Sequence, residues 1–239
     1  MNVVLSVGGS VLRAGMSYEQ VAGYANAISA ISDAGCTLGV VTGGGTTARE
    51  YIEAGRALGA NEIELDELGI AITRVNARLL IAALGDAVAP TPAETYAEAR
   101  RALGTYDIAV MGGTSAGHTT DAVSAALAEY IDAELLVLAT SVPGVFDADP
   151  NEDSDARQFS EMTPDELLDV VAGLEMNAGS PAPVDLLAAK IIERAGLRTI
   201  VIDGTEPSAA IDTILEGRHN GTEVIPESAA PVPSLWPEP

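Results

Sequence analysis

Three glycine-rich segments and one lysine carry most of the chemistry legible in this chain. Gly8-Gly9-Ser10 and Gly43-Gly44-Gly45 each end a short apolar run, and such a turn exposes backbone N–H groups with no Cβ between them and an anion. Two of them could hold two phosphates, although one glycine turn alone is more often a plain tight turn. Neither fits a P-loop (GxxxxGK followed by Ser or Thr) or the GxGxxG of dinucleotide-binding proteins. The third segment, Gly112-Gly113-Thr114-Ser115-Ala116-Gly117-His118-Thr119-Thr120-Asp121, sets hydroxyls, an imidazole and a carboxyl before a helix signal. That is the makeup of a ligand loop; the alternative is that Thr120 or Asp121 only caps the helix. Lys190 is the sole lysine beside eleven arginines. A lysine by an apolar helix face ordinarily snorkels to water. Its retention where lysine is otherwise missing points to a compact positive charge that the planar guanidinium cannot replace. Phosphoryl transfer, stabilised mainly by positioning and electrostatics, uses such a charge.

The elements that must position these groups follow one grammar. Short apolar runs end in turns at Val3–Val7, 36–41, 107–111, 134–139 and 198–202, and read as buried strands. Between them, Leu65, Leu68, Ile72, Val75 and Leu79, and later Ala122, Val123, Ala126, Leu127 and Tyr130, recur at helical spacing. Strands alternating with helices predict an α/β fold with a mainly parallel sheet covered on both faces. Ligands then bind at the carboxyl ends of the strands, where the glycine turns fall. With no fixed-period repeat and no strong linker before residue 226, residues 1–226 read as a single domain with two lobes. The Pro-rich segment 227–239, which holds the only tryptophan, Trp236, reads as an unpacked tail.

Composition narrows the function classes. At 239 residues the chain buries roughly 70% of its unfolded surface. No uninterrupted apolar run approaches the ~20 residues of a membrane span and the start lacks a basic signal-peptide region, so a cytoplasmic location is expected. A net charge of −23 opposes nucleic acid and anionic membranes alike. An acidic, lysine-poor surface suits concentrated salt, where a Debye length of about 3 Å screens self-repulsion. Cys36 cannot form an internal disulfide and reads as a small buried group. His219 reads as a surface residue, and Asp147 with Asp149 lacks the further ligands of a calcium loop.

Taken together, the segments at Gly8 to Leu12, Thr42 to Glu50, Asp66 to Ala77, Met111 to Val123, Ala139 to Pro150 and Asp185 to Ile192 resemble the amino acid kinase family, and within it the archaeal branch that phosphorylates UMP. The resemblance covers residues 1 to about 226. It implies a three-layer α/β/α sandwich, with the acceptor UMP in the N-terminal part and ATP in the C-terminal part, and a homohexamer built from dimers. On matching positions it implies that Gly9, Ser10, Gly45 and Arg49 contact the ATP phosphates and that Thr140, Phe146 and Asp149 line the nucleoside pocket. Gly44, Asp66, Thr114, Ser115, Ala116, Gly117, His118, Thr119 and Thr120 would hold UMP. Asp121 would orient the reacting groups, Lys190 would neutralise charge on the transferred phosphoryl, and Mg²⁺ would bridge the ATP phosphates. One departure is Ser6, where many members of the wider family carry a lysine. A sibling kinase acting on acetylglutamate or isopentenyl phosphate shares the ATP half of this pattern, and a nucleotide-binding or storage module without turnover shares its glycine turns.

Overall fold

The apolar run near the N-terminus forms β1 (Asn2–Val7), which in the computed structural model lies mid-sheet with helices on both sides. The structure describes residues 1–9, 11, 18–148, 150, 153, 155–176, 184–226 and 232–236. Ser10 and Asp149 lie outside the described residues. After β1 come α1 (Tyr18–Asp33), β2 (Thr37–Thr42), α2 (Gly45–Ala57), α3 (Glu62–Leu84), α4 (Tyr96–Leu103), β3 (Ile108–Met111), α5 (Thr120–Tyr130) and β4 (Leu135–Thr140). The remainder is β5 (Glu161–Met162), α6 (Pro164–Met176), α7 (Leu186–Ala195), β6 (Thr199–Asp203), α8 (Ser208–Glu216) and β7 (Thr222–Val224).

The sheet order is β3-β2-β1-β4-β6-β7-β5, and the strands from β3 to β6 all run parallel. Each of the five expected apolar runs is one of these strands. Sequence order reverses at β1, so the crevice of a doubly wound sheet opens at the carboxyl ends of β1 and β4. Only the far edge departs from this plan. There β7 is antiparallel to β6 and pairs in parallel with β5. Strands of two and three residues leave no apolar run to read, which is why neither is legible in the sequence.

Side chains of β1 alternate between two cores. Val3, Leu5 and Val7 pack with α1, α3 and α8, while Val4 joins the core beneath α5 and α7. Each fully buried aliphatic side chain contributes about 1.5–3 kcal/mol. The result is three layers, helix on sheet on helix.

Two features differ from the sequence reading. Residues 62–87 are long and apolar enough by composition to cross a membrane, which a search for uninterrupted apolar runs misses. This stretch is α3 and its continuation, whose inner face packs on β2 and β3 through Ala77, Leu80 and Ile81. Residues 232–236, expected to be unpacked, are docked. The Trp236 indole N–H donates to the Ile214 carbonyl at 3.0 Å, its ring lies 5.6 Å from the Arg198 guanidinium, and the Ser234 N–H donates to Glu134. A large aromatic with a polar handle finds both an apolar seat and a carbonyl there.

Candidate active site

The first two glycine turns meet backbone to backbone. A Cβ on Gly9 would sit 2.1 Å from the Gly45 nitrogen, and one on Gly43 would sit 2.2 Å from the Gly9 nitrogen. Any side chain at either position would force the turns apart. Gly45 also has φ +65, the left-handed region that glycine enters freely. Gly44 caps α2 without a side-chain hydrogen bond, so the first N–H groups of that helix have no intrahelical acceptor. They and the helix dipole favour an anion. The Thr46 hydroxyl in the same turn is buried and has no partner among the described residues.

Helix α3 holds both the second and the third turn. The Asn76 amide donates to the Gly43 carbonyl at 2.7 Å. The Thr73 hydroxyl accepts from the Gly113 N–H at 2.7 Å and donates to the Ile70 carbonyl at 2.6 Å. Arg74 reaches the Gly113 carbonyl at 3.3 Å and pairs with Glu94 at 3.0 Å. Two turns earlier, Asp66 accepts from the Gly117 N–H at 2.7 Å through one oxygen, and the other, without a partner among the described residues, can accept ligand hydroxyls. Between these groups lies a cleft of about 160 Å³ lined by Gly44, Gly45, Asp66, Thr73, His118 and Thr120. The 114–120 loop closes one side. Gly117 has φ +80, Ser115 and His118 are exposed, Ala116 is half-buried, and the Thr114 hydroxyl is buried without a partner among the described residues.

At the head of α5 the capping alternative is resolved. The N-cap is Thr119, whose hydroxyl accepts from the Ala122 N–H at 3.1 Å, so neither Thr120 nor Asp121 caps the helix. The Asp121 carboxyl instead turns toward β1, where the Ser6 hydroxyl donates to it at 3.2 Å. Burial, and then the nearby Asp185 carboxylate, raise its pKa from 3.8 to about 7 against the lowering effect of Ser6. Asp185 caps α7 by accepting from Leu187 at 2.8 Å and Ala188 at 3.0 Å, and its other oxygen takes the Thr119 hydroxyl. Two carboxylates and two hydroxyls therefore meet where α5, α7 and β1 converge.

Lys190 is not brought to this cluster. It stands on the exposed side of α7, has no ion pair among the described residues, and is not among the charges acting on Asp121. Five residues span about 7.5 Å of helix, so the Asp185 end of α7 reaches the site while Lys190 lies further along. Arg49 is also exposed on α2 and free of carboxylate partners among the described residues, close behind the uncapped helix start. Thr140 ends β4, its hydroxyl bonded to both the N–H and the carbonyl of Val142, and Phe146 bridges Gln158 on the adjoining loop. A cavity of about 170 Å³ opens beside Pro143, Asp203 and His219, and neither Thr140 nor Phe146 lines it. His219 is a correction: its side chain is only 11% exposed, with Nε2 3.9 Å from Glu223. Cys36 is buried as expected, and burial pushes its thiol pKa up.

The amino acid kinase family profile matches residues 1–203. The chain belongs to the amino acid kinase family. Among its family relatives, the uridylate kinase of Halobacterium salinarum is 61% identical over 236 residues, covering 99% of this chain and 98% of that one. That of Haloarcula marismortui is 60% identical, covering 95% and 100%. The crystal structure of uridylate kinase from Archaeoglobus fulgidus superposes with a TM-score of 0.83 at 41% identity, over 94% of this chain and 100% of that one. An aspartate kinase from Synechocystis shares the family fold at a TM-score of 0.70 and 20% identity, over 95% of this chain and 40% of that one.

Reading the sequence misses Asp185, Thr73, Arg74 and Asn76 as members of the site. Asp185 carries a faint signal, an N-cap residue type before an apolar helical run. The other three look like ordinary interior positions of a helix.

Proposed function

We propose that this protein transfers the γ-phosphoryl group of ATP to UMP, giving ADP and UDP, a step of pyrimidine nucleotide biosynthesis. The observation that carries this reading is the end-to-end likeness to archaeal uridylate kinases at about 60% identity, which spans the acceptor half as well as the ATP half. The site supports it. Asp66 keeps an acceptor oxygen for ribose hydroxyls beside the 114–120 loop, and the uncapped start of α2 offers N–H groups to phosphates.

In the proposed reaction a UMP phosphate oxygen forms a bond to Pγ as the bond from Pγ to the bridging oxygen breaks, and ADP departs with that electron pair. The acceptor phosphate, with a second pKa of about 6, is largely a dianion at neutral pH, so the attack needs no base. Gly9, Gly44 and Gly45 bring N–H groups to the phosphates without steric hindrance, and Arg49 adds positive charge from the side of α2. Asp121 and Asp185 orient donors at the junction of the two halves. Mg²⁺ arrives with ATP as part of the substrate and supplies charge neutralisation on its phosphates. Among the described residues no three carboxylate, His or Cys groups converge to hold a resident ion.

Self-association is part of the proposal. The outer face of α3 exposes Val75 at 54% and Leu79 at 45%, with Ala71 and Ala82 beside them, an apolar stripe at helical spacing. This face suits the contact between two copies within a homohexamer built as a trimer of dimers, and light scattering in concentrated KCl measures the mass. The source organisms of the halophilic relatives fit a salt-adapted cytoplasmic enzyme.

The test is ADP formation from MgATP in concentrated KCl with UMP, CMP, acetylglutamate, isopentenyl phosphate or no acceptor. Turnover with UMP, with UDP as coproduct, is expected. Turnover with a different acceptor alone would reject UMP, and its absence in folded protein would favour a binding module.

A further inference from the structure

Resting on the proposed phosphoryl transfer, we infer that Asn76 is a positioning residue, one that turns the backbone N–H groups of Gly44 and Gly45 toward the phosphates. Asparagine is a poor residue for a helix interior because its amide competes for backbone groups. Here it sits within the 23-residue α3, only 7% exposed, so its amide must answer a local demand.

That demand is the second glycine turn. Asn76 Nδ2 lies 2.7 Å from the Gly43 carbonyl oxygen and 3.5 Å from that of Gly44. In a planar trans peptide the carbonyl and the following N–H point in opposite directions. Drawing the carbonyls of Gly43 and Gly44 toward α3 therefore sends the N–H groups of Gly44 and Gly45 the other way. The distances at Gly9 agree: a Cβ built there would lie 2.9 Å from the Gly44 nitrogen and 2.1 Å from the Gly45 nitrogen. Both nitrogens lie on the side of the first glycine turn. The Asn76 amide also engages the Gly43 carbonyl oxygen, whose lone pairs would repel an anion if they faced it. The Gly43 N–H is held by the Val7 carbonyl at 2.9 Å and the Gly44 carbonyl also accepts from Ala48 at 3.3 Å, so the turn is gripped from β1, α2 and α3 together. The Thr46 hydroxyl in the same helix start is buried without a partner among the described residues.

The test compares Asn76→Leu, which keeps the number and branching of side-chain heavy atoms but not the amide, with Thr199→Val, which removes a buried hydroxyl bonded to the Leu197 carbonyl at 3.2 Å on β6. Binding of MgATP is followed by calorimetry in concentrated KCl, with thermal unfolding of each protein and UMP-dependent ADP formation by wild type in the same buffer. Asn76→Leu is expected to weaken MgATP binding at least tenfold, while Thr199→Val loses stability with its Kd unchanged. A folded Asn76→Leu protein that binds within twofold of wild type would overturn the role. If Asn76→Leu does not fold, Asn76→Ser is judged by the same criterion, and failure of both to fold would make the residue structural and reject the inference. Wild-type protein without UMP turnover, but with the tenfold loss in Asn76→Leu, would keep the positioning role and reject UMP as acceptor.

Discussion

Replacing Asp121 by asparagine should make the protein more stable as it disables it, and the gain should depend on pH. Burial and the Asp185 carboxylate raise the folded-state pKa of Asp121 from 3.8 to about 7. Between those values the unfolded chain has released this proton and the folded chain keeps it, so the group lowers stability as pH rises. About three pH units at roughly 1.4 kcal/mol each amounts to about 4 kcal/mol lost between pH 4 and pH 8. Asparagine keeps the shape and an acceptor oxygen for the Ser6 hydroxyl, now at 3.2 Å, while carrying no charge. Urea unfolding of ligand-free wild type and Asp121→Asn, in the same KCl buffers, isolates this group from the other acidic residues. The stability difference should move in favour of the variant from about pH 4 to about pH 7 and level off above pH 8, by up to about 4 kcal/mol. Phosphoryl transfer to UMP by Asp121→Asn should fall by about 10²-fold or more. A stability difference that stays constant across the pH range would refute the reasoning, because the carboxyl would then carry the same charge in both states.

Asp185→Asn should reduce turnover by about 10²-fold whereas Lys190→Gln leaves it within about threefold, since only the first residue reaches the carboxylate cluster; steady-state kinetics of both variants decide this. Asp66→Ala removes an acceptor worth about 1.5–3 kcal/mol, so the KM for UMP should rise tenfold or more with the KM for ATP nearly unchanged. Trp236→Ala loses the seat against Gly217, the bond to Ile214 and the contact with Arg198, and should cost about 3 kcal/mol, read from the urea midpoint. With a net charge of −23, stability should fall on dilution from about 3 M to 0.1 M KCl as screening weakens, which thermal unfolding in a salt series measures.

The sequence by itself determined the parts whose physics is local. Apolar runs such as Val3–Val7 must pair in a sheet interior, and the glycines after them can only be turns, so the parallel sheet and its ligand-binding edge were legible. The 112–121 loop was legible too, because hydroxyls, glycine and Asp121 stand together along the chain. Tertiary structure alone decided which groups meet. Asp185 and Lys190 are five residues apart on one helix, and the packing of α7 against α5 selects the first for the site and leaves the second in solvent. Asn76 and Thr73 gain their roles from turns 33 and 40 residues distant in the chain. His219 is covered, and Trp236 partly so, by elements that their neighbours in sequence do not announce. Backbone conformation answers to adjacent residues, whereas burial, the high pKa of Asp121 and the direction of a bound N–H answer to groups folded in from elsewhere.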